Sequence, residues 1–189
     1  MALEGEVVIL RAEKPEDMKL LADLRNDLET QAWSKTLPPD YTDDMYMQRY
    51  NERKFSFDRK DGRFTIETRA NNEFAGTISY TGLQPRWESM IGIVIPKKFW
   101  GSGVAYDAQE VLLKFLFQEI GLQVVRLFTH SGNPRAVSLA EKSGFKVSVR
   151  RRESIYKSGE IYDNLMMDLL REEYYEQHPE LEDNLPGLR

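Results

Sequence analysis

Apolar residues along this chain change their spacing several times, and each change marks an element. Residues 7–11 alternate as a first strand. Pro15, Glu16 and Asp17 then open a helix whose apolar positions are Met18, Leu21, Leu24 and Leu28, with proline in the first turn and acids at the positive end of the dipole. Residues 31–41 form a loop carrying Trp33 and the Pro38-Pro39 pair, and Thr42, Asp43 and Asp44 cap a second helix running to about Phe57. A turn at Asp61-Gly62 leads into a hairpin, residues 63–69 and 74–80 around Asn71-Asn72.

Ile91, Ile93, Val94 and Ile95 make a β-branched run too short for a helix and stopped by Pro96. From Val104 onward the spacing becomes helical, with Val104, Ala108, Val111, Leu112, Phe115 and Leu116 on one stripe. A strand over 124–129 follows, then a helix over 134–142 that ends at Gly144 in the C-cap position. Two long strands, 145–156 and 162–169, are joined by the turn Lys157-Ser-Gly-Glu160. The order is strand, two helices, three strands, helix, strand, helix, two strands. It predicts an α/β (α+β) sandwich around a mixed, mostly antiparallel sheet, and it does not fit an alternating doubly wound sheet. Residues 1–175 read as a single domain. Beyond Leu170 the chain turns polar, so a last helical turn and a loose tail over 176–189, or a dimer arm, are expected.

Composition narrows the class. With 189 residues and 41% hydrophobic content the chain can bury one good core. A net charge of −5 argues against a nucleic-acid binder and suits a cationic acceptor, although solubility accounts for it equally well. Without cysteine there is no disulfide framework, no cysteine-ligated zinc and no cysteine nucleophile, and a reducing compartment fits. No apolar run of membrane-spanning length and no signal-peptide core is present, so a cytoplasmic protein without membrane or nucleic-acid partners is expected, as monomer or homodimer.

The glycine pair Gly101 and Gly103 lies between the β-branched run and the helix, where backbone N–H groups and a helix N-terminus converge on a phosphate-binding place. The nucleoside-triphosphate loop fails, since its four-residue glycine spacing and Lys-Ser/Thr are missing. The dinucleotide fingerprint fails at Tyr106, which stands where its third glycine belongs, and no acid follows the next strand to hold a ribose.

A third pattern, Q/R-x-x-G-x-G/A, fits residues 98–103 with lysine in the first place. It resembles the pyrophosphate loop of the GNAT acyltransferases. Residues 133–145, from Asn133 through Lys142 to Gly144-Phe145, resemble that family's second signature, N-x-x-A/S-x-x-x-x-x-K-x-G-F, at the correct distance. Residues 24–29, residues 73–78 and the closing hairpin from Glu153 to Asp168 are similar to the RimJ/RimL-type branch, which contains the ribosomal-protein N-terminal acetyltransferases. The resemblance covers about Val7 to Tyr174. It implies an acyl-CoA site, with acetyl-CoA as co-substrate. Backbone groups near Ile93 and Ile95 would pair with the pantetheine arm. Lys98, Trp100, Gly101, Ser102 and Gly103 would form the cofactor loop, with Val104 and Ala105 supplying helical amides. Asn133 would meet the pantetheine, with Ser138 one turn further on. For Asn133 a helix N-cap before Pro134 is chemically sufficient by itself.

Acetyl transfer from a thioester to an amine needs a neutral nucleophile and a polarised carbonyl. A chain N-terminus titrates near ~8 and a lysine near ~10.4, so an α-amine needs only modest help from a base. Many GNAT members place a glutamate where this chain has Met90. Glu88, two residues earlier on the same strand face, is one candidate base, and His130, at the end of the next strand, is the other. The tyrosine that many relatives use as acid toward the thiolate is replaced by Ala140, which leaves Tyr80, Tyr106, Tyr156 and Tyr162 as stand-ins. The expected reaction is direct transfer within a ternary complex to a primary amine, for instance a protein N-terminus. The alternatives are a non-catalytic acyl-CoA sensor or scaffold, and an acetyltransferase for a small amine such as an aminoglycoside or polyamine. For the last, Asp40, Asp43 and Asp44 could line an acidic cleft.

Overall fold

A computed structural model describes residues 2–31, 39–54 and 60–181. In chain order the elements are β1 (Leu3–Glu4), β2 (Val8–Ala12), α1 (Asp17–Asn26), α2 (Leu28–Gln31), α3 (Asp43–Lys54), β3 (Gly62–Thr68), β4 (Phe74–Gln84) and β5 (Glu88–Val94). A 3-10 turn (Lys97–Phe99) precedes α4 (Val104–Lys114), which widens into a π turn at Phe115–Glu119. Then come β6 (Val124–His130), α5 (Pro134–Lys142), β7 (Lys146–Lys157), β8 (Glu160–Leu170) and α6 (Arg171–Gln177). The predicted order holds, with β1 added at the front, the first helix broken at Asp27 so that Leu28 opens a separate α2, and α6 a two-turn helix rather than a single turn. Trp33, Pro38, the end of the second helix near Phe57 and most of the tail lie outside the described residues. Among the described residues no helix is long and apolar enough to cross a membrane.

The strands form one sheet in the order β1-β2-β3-β4-β5-β6-β8-β7, mixed and mostly antiparallel. The parallel contact is between β5 and β6, and it is short. Glu88 faces Val124, Ser89 faces Val125, Met90 faces Arg126, and there the pairing stops. Both strands continue, β5 to Val94 and β6 to His130, so the sheet opens into a V above a closed base.

Alternation places two clusters on opposite faces of the sheet. The larger packs Val8, Leu10, Ile66, Ile78 and Val125 against Leu112, Leu116 and Phe117 of α4 and its π turn. The smaller packs Met18, Leu21 and Ala22 of α1 with Tyr46 of α3, and Phe74 lies against it. Thr65, next to Ile66, faces that second side and donates to Asp17 at 2.9 Å. Asp17 is buried and also accepts from Arg11 (2.7 and 3.0 Å) and from the Lys14 N–H (2.8 Å). Burial pushes the Asp17 carboxyl up, but these donors outweigh it and hold it below the ordinary range, which fixes α1 on the sheet.

Asp107, in the first turn of α4, accepts the N–H groups of Glu6, Val7 and Val8 at 3.1, 2.8 and 2.9 Å and so ties that end of the helix to β2. The other end is closed by α6. Arg171 donates to the carbonyls of Phe117 (2.9 Å) and Leu122 (3.4 Å), and Tyr174 stacks on Phe117 with ring centres 4.6 Å apart.

Candidate active site

The opening of the V continues into the loop before α4. Gly101 and Gly103 have φ of +75° and +87°, a region that side chains rarely adopt, and a Cβ at either would meet nothing within 4 Å. The loop therefore needs its glycines for conformation, and the side it presents is open. Ser102 donates to the Phe99 carbonyl at 2.6 Å, and its Oγ is 3.5 Å from the Val104 N–H. Trp100 Nε1 donates to the Ile95 carbonyl at 2.9 Å, which straps the loop to the end of β5.

A cleft of about 560 Å³ runs from this loop along β5. Ile93, Ile95, Trp100, Gly101, Gly103, Ala105 and Asn133 line it, and Tyr106, Arg135, Lys142, Leu24, Arg25 and Thr30 complete its walls. A smaller cavity of about 240 Å³ fills the V itself, with Ile91, Gly92 and Ile93 on one side and Leu127, Phe128, Thr129 and His130 on the other. Ile93, Asn133, Ala136 and Leu139 border both, so the two spaces meet beside α5. Open glycine backbone, a helix N-terminus and cationic side chains fit a diphosphate, and the apolar V fits a thin acyl-bearing arm.

The sequence-predicted residues divide by these walls. Asn133 both borders the cavities and caps α5, accepting from the Ala136 N–H at 3.2 Å, so its two readings hold together. Val104 is buried in the core and lines neither cavity, and its N–H lies 3.5 Å from Ser102 Oγ. Lys98 turns away into an ion pair with Glu73, which holds that carboxyl below its ordinary value, and Lys97 pairs with Glu29. Ser102 points at its own turn. Ser138 lines neither cavity: Asn133, Ala136 and Leu139 recur on the cleft side of α5, and Ser138 lies out of phase, exposed.

The two candidate bases are far apart in character. Glu88 sits at the closed base of the V, where it pairs with Arg126 across the strands, and it lines neither cavity. His130 is 6% exposed in the wall of the smaller cavity, with its ring centre 5.4 Å from that of Tyr162. Of the stand-in tyrosines only Tyr106 borders a cavity; Tyr80 packs in the core, Tyr156 is out in solvent and Tyr162 donates to Glu160. Ala140 is itself buried in the core. Asp43 and Asp44 lie in the first turn of α3, where Thr42 Oγ1 accepts from the Met45 N–H at 3.2 Å; they line neither cavity.

Sequence reasoning passed over Arg135, Lys142 and Arg25. The first two were visible within the second motif, Arg135 at a position its consensus leaves open and Lys142 as its consensus lysine, to which no role was given. Arg135 lies with its guanidinium 4.3 Å from the centre of the Trp100 ring, and the Lys142 ammonium lies 3.8 Å from that of Tyr106.

Comparison with known proteins agrees with this geometry. The model of the acetyltransferase (GNAT) domain matches residues 8–146. The SPbeta prophage-derived uncharacterized N-acetyltransferase YokL of Bacillus subtilis is 27% identical over 176 residues, 92% of this chain and 96% of the relative. The putative ribosomal N-acetyltransferase YdaF of the same organism is 29% identical over 105 residues, 55% of this chain and 57% of the relative. Among solved structures, spermidine N-acetyltransferase from Vibrio cholerae in complex with CoA and spermine superposes with a TM-score of 0.78 at 23% identity, covering 88% of this chain and 97% of that one.

Proposed function

This chain belongs to the GNAT acetyltransferase family and takes acetyl-CoA as its acyl donor, and we propose that its acceptor is the α-amine of a peptide or protein chain. The observation that carries this reading is the charge of the walls. Among the described residues that line the two cavities there is no carboxylate, whereas Arg25, Arg135 and Lys142 are cationic. A polyamine or aminoglycoside brings several positive charges and needs carboxylates to hold them. A peptide N-terminus brings one amine followed by carbonyl groups that backbone N–H groups can hold, so it needs no carboxylate, and the wall cations stay with the anionic donor. The partial likeness to a putative ribosomal N-acetyltransferase supports the same acceptor class and the RimJ/RimL-type assignment.

The chemistry follows. An α-amine near pKa ~8 is neutral in useful fraction at physiological pH. It attacks the thioester carbonyl, a C–N bond forms, the C–S bond breaks, and the amine's lost proton ends on the departing thiolate. Backbone N–H groups of β5 beyond Met90, where β6 has moved away, are placed to polarise the carbonyl. His130, in the wall of the same cavity, is the group assigned to accept the proton. Glu88 is assigned to holding the base of the V.

The test is CoA release with a panel of peptides differing at the first two residues, beside spermidine and an aminoglycoside. Turnover of peptides that ceases on N-terminal blocking supports the reading. Turnover of spermidine alone overturns the acceptor class. Acetyl-CoA binding without turnover of any acceptor supports the sensor instead.

A further inference from the structure

The V is lined from both faces of the sheet. Register and alternation carry one face from Thr65, which meets Asp17 of α1, through Thr77 and Val94 to Met90 of β5. From there it passes to Arg126 and His130 of β6 and on to Asn164 of β8. The opposite face carries α4 and α5, whose Gln109, Ala136 and Leu139 border the same cavity. Two side-chain amides of this wall hold a buried atom that meets no partner among the described residues, and the two are of opposite sense. Gln109 Nε2, on the α4 face, is a donor, and Asn164 Oδ1, on the α1 face, is an acceptor. A buried polar atom left unpaired is costly, and a ligand group of the complementary kind relieves that cost. An amine brings N–H groups, so it matches Asn164.

We infer that Asn164 Oδ1 accepts one N–H of the acceptor amine and holds it beside His130, so that the site selects primary over secondary amines. The inference rests on the proposed transfer to an α-amine. Asn164 stands directly opposite His130 in the β6–β8 ladder, which sets the two side chains next to each other. Its place is fixed from both neighbouring strands. Its N–H donates to Ser154 Oγ at 3.3 Å, in a bulge of β7 where Glu153 takes φ of +49°. The Glu153 N–H donates to Asp163 at 3.0 Å, and the Asp163 N–H donates to Ser131 Oγ at 3.0 Å, which ties the bulge to the end of β6. Bulges of this kind re-aim side chains beside a site, and here Ile155, just past it, reaches the cavity. A neutral primary amine has two N–H groups and one lone pair. With one N–H on Asn164 and the other toward His130, the lone pair is left for the thioester carbonyl. As the C–N bond forms and the C–S bond breaks, the N–H facing His130 is lost, and its proton ends on the departing thiolate. The N–H on Asn164 stays in the product amide. A secondary amine has a single N–H, so it gives up either the hold on Asn164 or the proton that must leave.

The experiment compares kcat/KM for the peptide turned over fastest in the panel above and for the same peptide methylated once on its α-amine. It uses the full chain, Asn164→Leu, Asn164→Ala and Asn164→Asp, with acetyl-CoA binding by calorimetry to show that each donor site is intact. The full chain is expected to prefer the unmethylated peptide about tenfold or more. Asn164→Leu and Asn164→Ala should bring that ratio near one by slowing the unmethylated peptide alone. Asn164→Asp, which keeps an acceptor oxygen, should retain the preference. A ratio of one in the full chain, or an unchanged ratio in Asn164→Leu and Asn164→Ala, overturns the inference while leaving the α-amine acceptor in place. Turnover of no peptide in the panel overturns both.

Discussion

The two ends of α4 are finished in opposite ways. At the C-terminal end the helix widens into a π turn, Phe117 is buried beneath Tyr174, and Arg171 supplies donors to the carbonyls of Phe117 and Leu122. At the N-terminal end Gly103 begins the helix with no side-chain cap, and the adjoining cleft is open. Every helix starts with orphan N–H groups and ends with orphan carbonyls. This protein satisfies the carbonyls from within and leaves the start of the helix beside an open cleft. A helix end without a cap is thus informative only when the other end shows what the fold does where no ligand is expected.

Breaking the sealed end should have the largest effect on stability. Arg171→Met removes both donors to buried carbonyls and is expected to cost about 3 kcal/mol, lowering the melting temperature by about 6–12 °C. CoA affinity, read by calorimetry on the folded fraction, should stay nearly constant. Breaking the open end should do the reverse. Gly103→Trp forces a side chain into φ of +87° and into the cleft, and CoA affinity is expected to fall about 100-fold, close to 2.7 kcal/mol, with a smaller drop in melting temperature. Loss of folding instead of binding would remove the distinction between the ends.

Asp107 joins the open end to β2, so Asp107→Ala should show some of both behaviours. Stability should fall by about 1–2 kcal/mol as three N–H groups lose their acceptor, and CoA affinity should fall several-fold less than in Gly103→Trp. The smallest effect is expected at Glu110, between the ends, whose carboxyl is raised above 4.5 chiefly by burial and faces His178 of the α6 C-terminus at 3.3 Å. A raised carboxyl contributes stability that is complete below its unfolded value and lost as pH climbs through the folded one. Glu110→Gln should therefore melt like the parent below pH 4.5 and above it at about pH 8. A constant difference across that range would show that the carboxyl does not titrate in the fold.

Much of this comparison could be read from residues alone. The stripe from Val104 to Leu116 and the glycines before it announced a helix with a bare start, because apolar period and glycine placement are local signals. The sealed end was not legible. Nothing near Phe117 in sequence points to Arg171, fifty-four residues away. Side-chain phase was the other loss. Glu88 was chosen because it shares a strand face with Met90, but the V opens only beyond Met90, and a carboxylate at the closed base meets Arg126 rather than the cleft. Ser138 failed for a related reason, since the motif fixes spacing and α5's turn decides which positions face inward. Lys98 stands where the family pattern has Gln or Arg, yet Glu73, joined to it only by the fold, takes its charge.

The three-residue pairing of β5 with β6 has one more consequence. Sheet edges usually lie at the outside of a molecule, where any strand of another protein can add to them. Here the parting of two central strands creates a pair of edges in the interior, facing each other across a slot. Neighbouring strands stand about 4.8 Å apart. A slot of this kind admits a single extended chain with narrow substituents and rejects a folded strand with its own neighbours. In the function proposed above, the fold would select its donor by thickness before any side chain makes contact, and the long flexible arm of the carrier would be what passes.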